Sequence, residues 1–329
     1  MTTSTTPDQR HAAVIYNPIK VELPELKEAI TAAATAAGWG ETMWFPTSEE
    51  DTGQGMAASA LRRAADVVLV AGGDGTVRAV AHGLRGTGVA MAVLPSGTGN
   101  LLARNLDLPV NDMDDAIEIA FNGVRRDIDL GIAEITREDG SSEEHAFVVM
   151  AGLGIDAKMI ANTRSELKKA VGWLAYIDGT IRSLPSVEPV RVTYSRDKAA
   201  KKTLQVHSIM IGNCGSLPGG LLLIPDAKPD DGMLDIVALR PQGPFGWLRV
   251  WNKVAWENGV LRKTAVGRKI IDLSKDVKDV TYWTGRDLSL WVEKPQEFQL
   301  DGDEFGEVTH VHAWVESSAL TIRVPAEEN

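Results

Sequence analysis

The chain has 329 residues, of which 44% are hydrophobic and 24% are charged, a balance typical of folded proteins. This length predicts two domains. The formal net charge of −11 argues against nucleic acid as a partner, because phosphate contacts require a basic stripe. No segment approaches the roughly 18 consecutive apolar residues of a membrane-spanning helix. The single cysteine, Cys214, cannot form an internal disulfide, which indicates a reducing, cytoplasmic compartment.

The first part of the chain alternates short apolar runs with helical patterns. Residues 1–11 are predicted to be a disordered leader. Strand-like runs then follow in "AAVIYNP", "ETMWFPT", "VVLVAGG" and "VAMAVLPSG". Helical patterns separate them, and "NLLARNLDL" opens a further helix. Short strands without in–out alternation, separated by helices, predict a Rossmann-like parallel α/β domain over residues 12–130.

After about residue 130 the pattern changes to strands joined by turns. "HAFVVMAGLGID", "PVRVTYS", "TLQVHSIMIGN", "MLDIVALR", "KIIDLS", "LSLWVEK", "FQLDGDEFG" and "ALTIRVP" are strand-like. This pattern predicts a β-sandwich domain over residues 131–329. Helical segments interrupt it near residues 157–184 and 244–260. Whether the last strand returns to the first domain is left open.

The stretch "GGDGT", residues 72–76, places three glycines around one carboxylate directly after a buried strand. Such a turn, opening a helix, can direct backbone N–H groups at phosphate. It lacks the third glycine of the Rossmann fingerprint, and the chain has no Gly-Lys pair for a P-loop. A carboxylate among phosphates is useful where a cation or a hydroxyl nucleophile lies between them, which indicates phosphoryl transfer.

Five stretches together resemble the diacylglycerol kinase catalytic-domain family. They are "IYNPIK", "GGDGT", "LPSGTGNLLARNL", "PDAKPDDGMLDIV" and "LDGDEFGE", in the family's order from residue 15 to residue 307. The relatives that this resemblance implies are the bacterial lipid kinases without membrane spans. It implies an ATP-binding catalytic domain over residues 12–130, a β-sandwich that binds the lipid substrate, and catalysis between them.

The resemblance implies transfer of the γ-phosphoryl group of ATP to the primary hydroxyl of a membrane lipid. Diacylglycerol, giving phosphatidic acid, is the expected acceptor, and a sphingoid base or another lipid alcohol is the alternative. ATP is the co-substrate and Mg²⁺ the cofactor. A nucleotide- or lipid-binding regulator without catalysis is a hypothesis of a different class.

The resemblance also assigns site residues. Asp303 is the expected general base, with Glu304 as its rival, and Asp74 is expected to hold the metal–ATP or orient the nucleophile. A structural Mg²⁺ is expected at Lys228, Asp231 and Met233. The ATP contacts are expected at Asn17, Pro18, Ile19, Lys20, Thr47, Gly72, Gly73, Asp74, Gly75, Thr76, Val77, Arg78 and Thr98.

Three positions depart from the family pattern. Arg78 stands where the family often has Asn, Leu101 replaces an aspartate, and Asp303 is one methylene shorter than the family's glutamate. A rival assignment, NAD kinase, requires an Asn-Glu pair that the chain lacks.

A lipid substrate implies transient contact with the inner face of a membrane. A basic patch at residues 196–202 and the Trp-rich stretch at residues 244–256 are the candidate surfaces. Whether the protein forms a homodimer is left open; the resemblance allows one, because the family includes dimers.

Overall fold

The computed structural model describes residues 9–154, 189–217, 221–241, 246 and 279–326. The chain divides into two compact units, one of residues 1–130 with 317–329 and one of residues 131–316. Within the predicted leader, the carbonyl of Arg10 accepts the amide of Gly40 at 2.8 Å, and His11 donates its amide to Asp66 at 2.7 Å. Ordered backbone therefore begins before the first strand.

The first unit is a parallel sheet with helices. Its strands are β1 (Ala12–Tyr16), β2 (Met43–Pro46), β3 (Val67–Gly72), β4 (Ala90–Pro95) and the end of β16 (Asp303–Val324). Its helices are α1 (Leu23–Ala36), α2 (Gln54–Arg62), α3 (Asp74–Leu84), α4 (Leu101–Asn105) and α5 (Met113–Asn122). The strands lie side by side in the order β2, β1, β3, β4, β16. Every pairing among them is parallel.

Helices cover both faces of this sheet. One face of β1, β3 and β4 packs on α1 and α5 through Leu26, Ile30, Ile117 and Phe121. The helices α2 and α3 pack on each other, α3 also on β3 and β4, and α2 on β1. Every residue of β1 and β3 is buried, which explains why these strands are continuous apolar runs. The prediction of a parallel α/β domain is confirmed.

The last strand joins this unit beside β4, with Thr321 opposite Ala90. Two carboxylates of β5 (Val124–Thr136) bind it: Asp127 accepts the Thr321 hydroxyl at 2.6 Å, and Asp129 accepts the Ser318 amide at 2.8 Å. These bonds tie the carboxyl terminus to the first unit, although 190 or so residues of sequence separate the partners.

The second unit is antiparallel. Besides the second half of β5 and the first part of β16, it contains β6 (Ser142–Phe147), β7 (Met150–Gly154), β8 (Val190–Arg196), β9 (Lys202–Val206), β10 (Ser208–Gly212), β11 (Ser216–Leu217), β12 (Leu221–Leu222), β13 (Leu234–Leu239), β14 (Val280–Gly285) and β15 (Asp287–Leu300). Its buried core includes Phe147, Val192, Ile211, Ile236 and Phe298.

The long strand β15 changes partner along its length. Its first half pairs with β8, and residues 298–300 pair with β7. The pairing with β16 shifts register between Trp291 and Gln296, next to Pro295. A register shift of this kind bends a strand. The β15–β16 hairpin can therefore pair with β8 in the first half of β15 and with β7 near its tip.

Several elements differ from their predictions. The helix opened at residue 101 ends at Asn105, and α5 begins only at Met113, where Asp112 accepts the amide of Asp115 at 3.0 Å. The run "HAFVVMAGLGID" forms β6 and β7 with a bend between them. The strands β5 and β14 were not predicted.

The predicted strand "KIIDLS" and the predicted helical segments lie outside the described residues, except Gly246. No helix in the described ranges is long and apolar enough to cross a bilayer.

Candidate active site

The turns that follow β1 to β4 meet at the carboxyl-terminal edge of the parallel sheet. The amide of Asn17 donates to Ala71 O at 2.9 Å, and the amide of Thr47 donates to Tyr16 O at 2.9 Å. Ser96 donates to Gly72 O at 3.4 Å. Ligands of open α/β sheets bind at this edge.

The turn after β1 is closed by its own asparagine. Asn17 accepts the amide of Ile19 on its side-chain oxygen and that of Lys20 on its carbonyl, both at 3.0 Å. Pro18, Ile19 and Lys20 are consequently exposed, and Ile19 is 88% exposed. Thr47, in contrast, is only 8% exposed.

The turn after β3 leads directly into α3, which begins at Asp74 with Gly73 as its N-cap. Gly73 has extended dihedral angles, φ −86° and ψ −178°, which any residue adopts. A Cβ on Gly73 would have no heavy atom of the described residues within 4 Å. Neither the backbone conformation nor the packing of the described residues requires a glycine here.

A second glycine holds the turn after β4 against the turn after β3. A Cβ on Gly97 would lie 2.9 Å from Gly73 Cα, a contact that a side chain would prevent. Asn100, in the left-handed conformation at φ 48°, accepts the Gly97 amide at 3.1 Å and donates to the Gly97 carbonyl at 3.0 Å. The two turns are therefore in direct backbone contact.

The carboxylate of Asp74 lies in this contact. Its Oδ1 accepts the amide of Leu101 at 2.6 Å. A Cβ on Gly99 would be 2.3 Å from its Oδ2. Asp74 thus joins the β3–α3 turn to the start of α4, and Gly99 leaves the room that the carboxylate needs.

The remaining predicted contacts of this turn differ in exposure. Thr76 and Val77 are 6% and 5% exposed, and the Val77 amide donates to Gly73 O at 3.0 Å. Arg78 is half-buried and Thr98 is exposed. Gly73, Asp74 and Gly75 are the residues whose backbone forms the start of α3 at the edge of the sheet.

In the second unit, Asp303 stands just past the tip of the β15–β16 hairpin. Asp301 and Gly302 form its two-residue turn with φ values of +50° and +91°, the conformation of a type I′ turn. Leu300 pairs with Asp303, and Gln299 pairs with Glu304. Asp303 and Glu304 are both exposed. Since neighbouring residues of a strand point to opposite faces, only one of the two can serve a given site.

Asp301, which the sequence analysis did not single out, is a buried carboxylate at the tip of this hairpin. It is 4% exposed. Its Oδ1 accepts the amides of Val149 at 2.8 Å and Met150 at 2.9 Å, and its Oδ2 accepts that of Val148 at 2.9 Å. The sequence "DG" indicated the turn, but no sequence signal indicated these partners.

The predicted Mg²⁺ residues form a surface turn before β13. Lys228 and Asp231 are exposed, and Asp231 Oδ1 accepts the Met233 amide at 3.0 Å. The part of the chain that the structure describes contains no group of three or more His, Cys, Asp or Glu side chains suited to a metal ion. The predicted set depends on the main-chain carbonyls of Lys228 and Met233, so it stays a prediction.

The predicted residues therefore form two groups. The turns of the first unit come together around Gly73 and Asp74. Asp303 and the residues of the predicted Mg²⁺ site belong to the second unit, on different strands or turns.

Comparison with known proteins assigns both parts of the chain. The profile described as "Diacylglycerol kinase catalytic domain" matches residues 11–133. The profile described as "YegS C-terminal NAD kinase beta sandwich-like domain" matches residues 148–324. The second match confirms the predicted β-sandwich.

Among individual proteins, the chain is 29% identical over 250 residues to a diacylglycerol kinase of Bacillus subtilis, covering 73% of this chain and 77% of that protein. It is 34% identical over 207 residues to a "probable lipid kinase YegS-like" of Pseudomonas aeruginosa, covering 61% and 64%. The crystal structure of a diacylglycerol kinase from Bacillus anthracis superposes with a TM-score of 0.63 at 19% identity, covering 97% of each chain, which shows a common fold.

Proposed function

Because the chain belongs to the diacylglycerol kinase catalytic-domain family, we propose that it is an ATP-dependent lipid kinase. It transfers the γ-phosphoryl group of ATP to the primary hydroxyl of a membrane lipid. Diacylglycerol is the proposed acceptor and phosphatidic acid the product, in keeping with the name of the relative from Bacillus subtilis.

The observation that carries the proposal is the turn at Gly73. It combines the start of an 11-residue helix, a glycine that the fold does not require, and open space above that glycine among the described residues. The first amides of a helix have no acceptor within the helix and attract anions. This arrangement suits the phosphates of ATP, with the adjoining turns at Asn17–Lys20 and Thr98 as further contacts.

Asp74 and Asp303 have separate proposed roles. Asp74 adds a carboxylate beside the phosphate-binding amides, and carboxylate oxygens are ligands that suit Mg²⁺. When bound, Mg²⁺ supplies positive charge that offsets the charge on the transferring group. Asp303 accepts the proton of the lipid hydroxyl as that oxygen attacks the γ-phosphorus. Its exposed position on the hairpin suits a base that must meet a substrate from outside the protein.

A membrane lipid requires contact with a membrane surface, and we place this contact at the β8–β9 turn. Lys198, Lys201 and Lys202 are exposed there, on a chain whose net charge is −11. The ammonium group of Lys201 lies 3.7 Å from the ring centroid of Trp291. Lysines beside tryptophan suit the interface of an anionic leaflet. The proposed location is cytoplasmic, with transient binding to the inner membrane face.

The test is transfer of labelled phosphate from γ-labelled ATP to lipids in mixed micelles with Mg²⁺, for the wild type, Asp303→Asn and Glu304→Gln. We expect labelled phosphatidic acid from the wild type and from Glu304→Gln. Asp303→Asn should lower kcat by about 10²- to 10⁴-fold, the usual contribution of a general base.

Label in a sphingoid base would keep the mechanism and change the acceptor. Loss of activity in Glu304→Gln but not in Asp303→Asn would transfer the role of base to Glu304. The absence of label in every lipid, with ATP still bound, would refute the kinase and favour a nucleotide-binding regulator.

A further inference from the structure

We propose that Asp301 is a positioning residue for the reaction: it fixes the hairpin tip that carries Asp303. This inference rests on the proposed function, in which Asp303 is the general base. Asp301 itself does not contact the substrate in this proposal.

The anchor consists of four hydrogen bonds to one short segment. The carboxylate of Asp301 accepts the consecutive amides of residues 148–150 at 2.8 to 2.9 Å, and its own amide donates to Met150 O at 2.8 Å. Hydrogen bonds to an ionised acceptor are roughly twice as strong as neutral ones. A carboxylate that binds three amides in a buried position has no equivalent in Ala, Ser or Asn.

The segment that receives Asp301 is itself held from a second direction. Val148 and Val149 are buried, and they form the bend between β6 and β7. Asn213 donates its side-chain amide to Val148 O at 3.1 Å and its backbone amide to Val149 O at 2.9 Å. The N–H groups of this bend go to Asp301 and its carbonyls go to the strand end after β10. The anchor point is therefore also held by the strand end after β10, which is outside the hairpin.

The anchor acts on Asp303 across a turn of minimal length. Only Gly302 separates Asp301 from Asp303, and Leu300, which pairs with Asp303, is fully buried. Beyond Leu300 the tip is exposed at Gly302, Asp303 and Glu304. The hydrogen bonds of Asp301 therefore fix the backbone at the residue where this exposed tip begins.

The same geometry excludes Asp301 as the base. Its two oxygens already accept three amides, and it is 4% exposed. A proton taken up there would break hydrogen bonds to the main chain. Asp301 supports the reaction through Asp303. In other active sites, too, residues that do not contact the substrate hold the catalytic groups in place.

A double-mutant cycle tests this role. Asp301→Asn replaces one acceptor oxygen by an NH₂ donor that faces backbone N–H groups, so the tip loses part of its anchor. We expect kcat to fall by about 10²-fold, the effect of a misplacement of about 1 Å, while KM for ATP is unchanged. In the Asp303→Asn background the same substitution should lower kcat no further, because it acts only through Asp303.

Asp139→Asn is the control. The carboxylate of Asp139 accepts the backbone amide of Ser141 at 2.9 Å and the Ser141 hydroxyl at 2.6 Å in the β5–β6 turn, which has no part in the proposed reaction. This substitution should leave kcat unchanged at a temperature where all variants are folded. If Asp301→Asn does not fold, the same cycle uses Asp301→Glu, which retains a carboxylate and displaces it by one methylene.

Equal losses of kcat with and without Asp303 would overturn the positioning role and leave the proposed function standing. An unchanged kcat in folded Asp301→Asn would do the same. A wild-type protein that phosphorylates no lipid would overturn the proposed function, and the positioning role with it.

Discussion

Replacing Gly73 by Ala separates ligand binding from folding at the β3–α3 turn. In the folded protein the new Cβ meets no heavy atom of the described residues within 4 Å, and the backbone is already in an extended conformation. Alanine has less conformational freedom than glycine in the unfolded chain, which stabilises the folded protein by about 0.4–1 kcal/mol. Alanine is a poorer N-cap than glycine by a similar amount. We therefore expect the free energy of unfolding to change by less than about 1 kcal/mol.

Binding of ATP should respond strongly to the same change. If phosphate oxygens approach the first amides of α3, a methyl group on Gly73 separates them from these donors. Hydrogen bonds to charged groups contribute about 1.5–3 kcal/mol each. The loss of one such bond raises the Kd for ATP by about 10- to 150-fold. Titration calorimetry with ATP, beside thermal unfolding of the same samples, measures both quantities.

Gly97→Ala is the contrasting variant. Its Cβ would lie 2.9 Å from Gly73 Cα, so two backbone segments must separate and the free energy of unfolding must fall. Gly73→Ala should therefore raise the Kd for ATP with little change in the free energy of unfolding. Gly97→Ala should mainly lower the free energy of unfolding. A folded Gly73→Ala protein with wild-type affinity for ATP would refute a phosphate site at this turn.

Three further predictions concern other parts of the chain. Gly99→Ala, whose Cβ would lie 2.3 Å from Asp74 Oδ2, should displace that carboxylate and raise the Mg²⁺ concentration required for half-maximal phosphoryl transfer. Lys201→Glu should weaken sedimentation with anionic vesicles by roughly five- to thirtyfold, at about 1 kcal/mol per unit of charge, whereas Arg62→Glu on α2 should not. Burial, and then the neighbouring His312, lower the pKa of His310 below its ordinary 6.5. The folded state therefore binds fewer protons, and the free energy of unfolding should fall as the pH drops from about 6.5 through that lowered pKa. Denaturant titrations should show that His310→Phe lacks this part of the pH dependence.

The first unit was predictable because each of its elements carries a local signal. A strand buried on both faces is a continuous apolar run, and a glycine or proline follows each run in the sequence. The helix α5 was not predicted although Asp112 caps it, because the preceding pattern at residue 101 predicts the start of one helix. A left-handed Asp107 at φ 53° and Pro109 separate α4 from α5.

The second unit was less predictable because distant residues decide its bends. The run at residues 146–155 is apolar throughout, which predicts one strand. Its break at Val148 and Val149 depends on amides that bind Asp301, about 150 positions along the chain. The strand β5 was missed for another reason: its first four residues are exposed and three of them are charged. The strand pairs with β16 and with β6, and its local sequence indicates neither partner.

At the site, sequence reasoning identified the residues with unusual composition and missed those that support them. The glycines around Asp74 were found because glycine next to a buried strand is costly without a function. Gly97 and Asn100 lie in a stretch that was also identified, but their contacts were not predicted, because a backbone–backbone contact has no sequence signature. Exposure could not be inferred either: Thr47, predicted to line the ATP site, is only 8% exposed, whereas Ile19 next to it in that prediction is 88% exposed.

The structure also bears on Leu101, which replaces an aspartate of the family pattern and so lends support to the hypothesis of a regulator without catalysis. Leu101 is 5% exposed, so its side chain packs inside the first unit. Its backbone amide nevertheless holds Asp74 at 2.6 Å, a contact that any residue except proline provides. Loss of a carboxylate at position 101 therefore removes one acidic group but does not release Asp74. In the proposed mechanism, which uses Asp74 at the phosphates and Asp303 as the base, no step requires a carboxylate at position 101, so this substitution is weak support for a protein without activity.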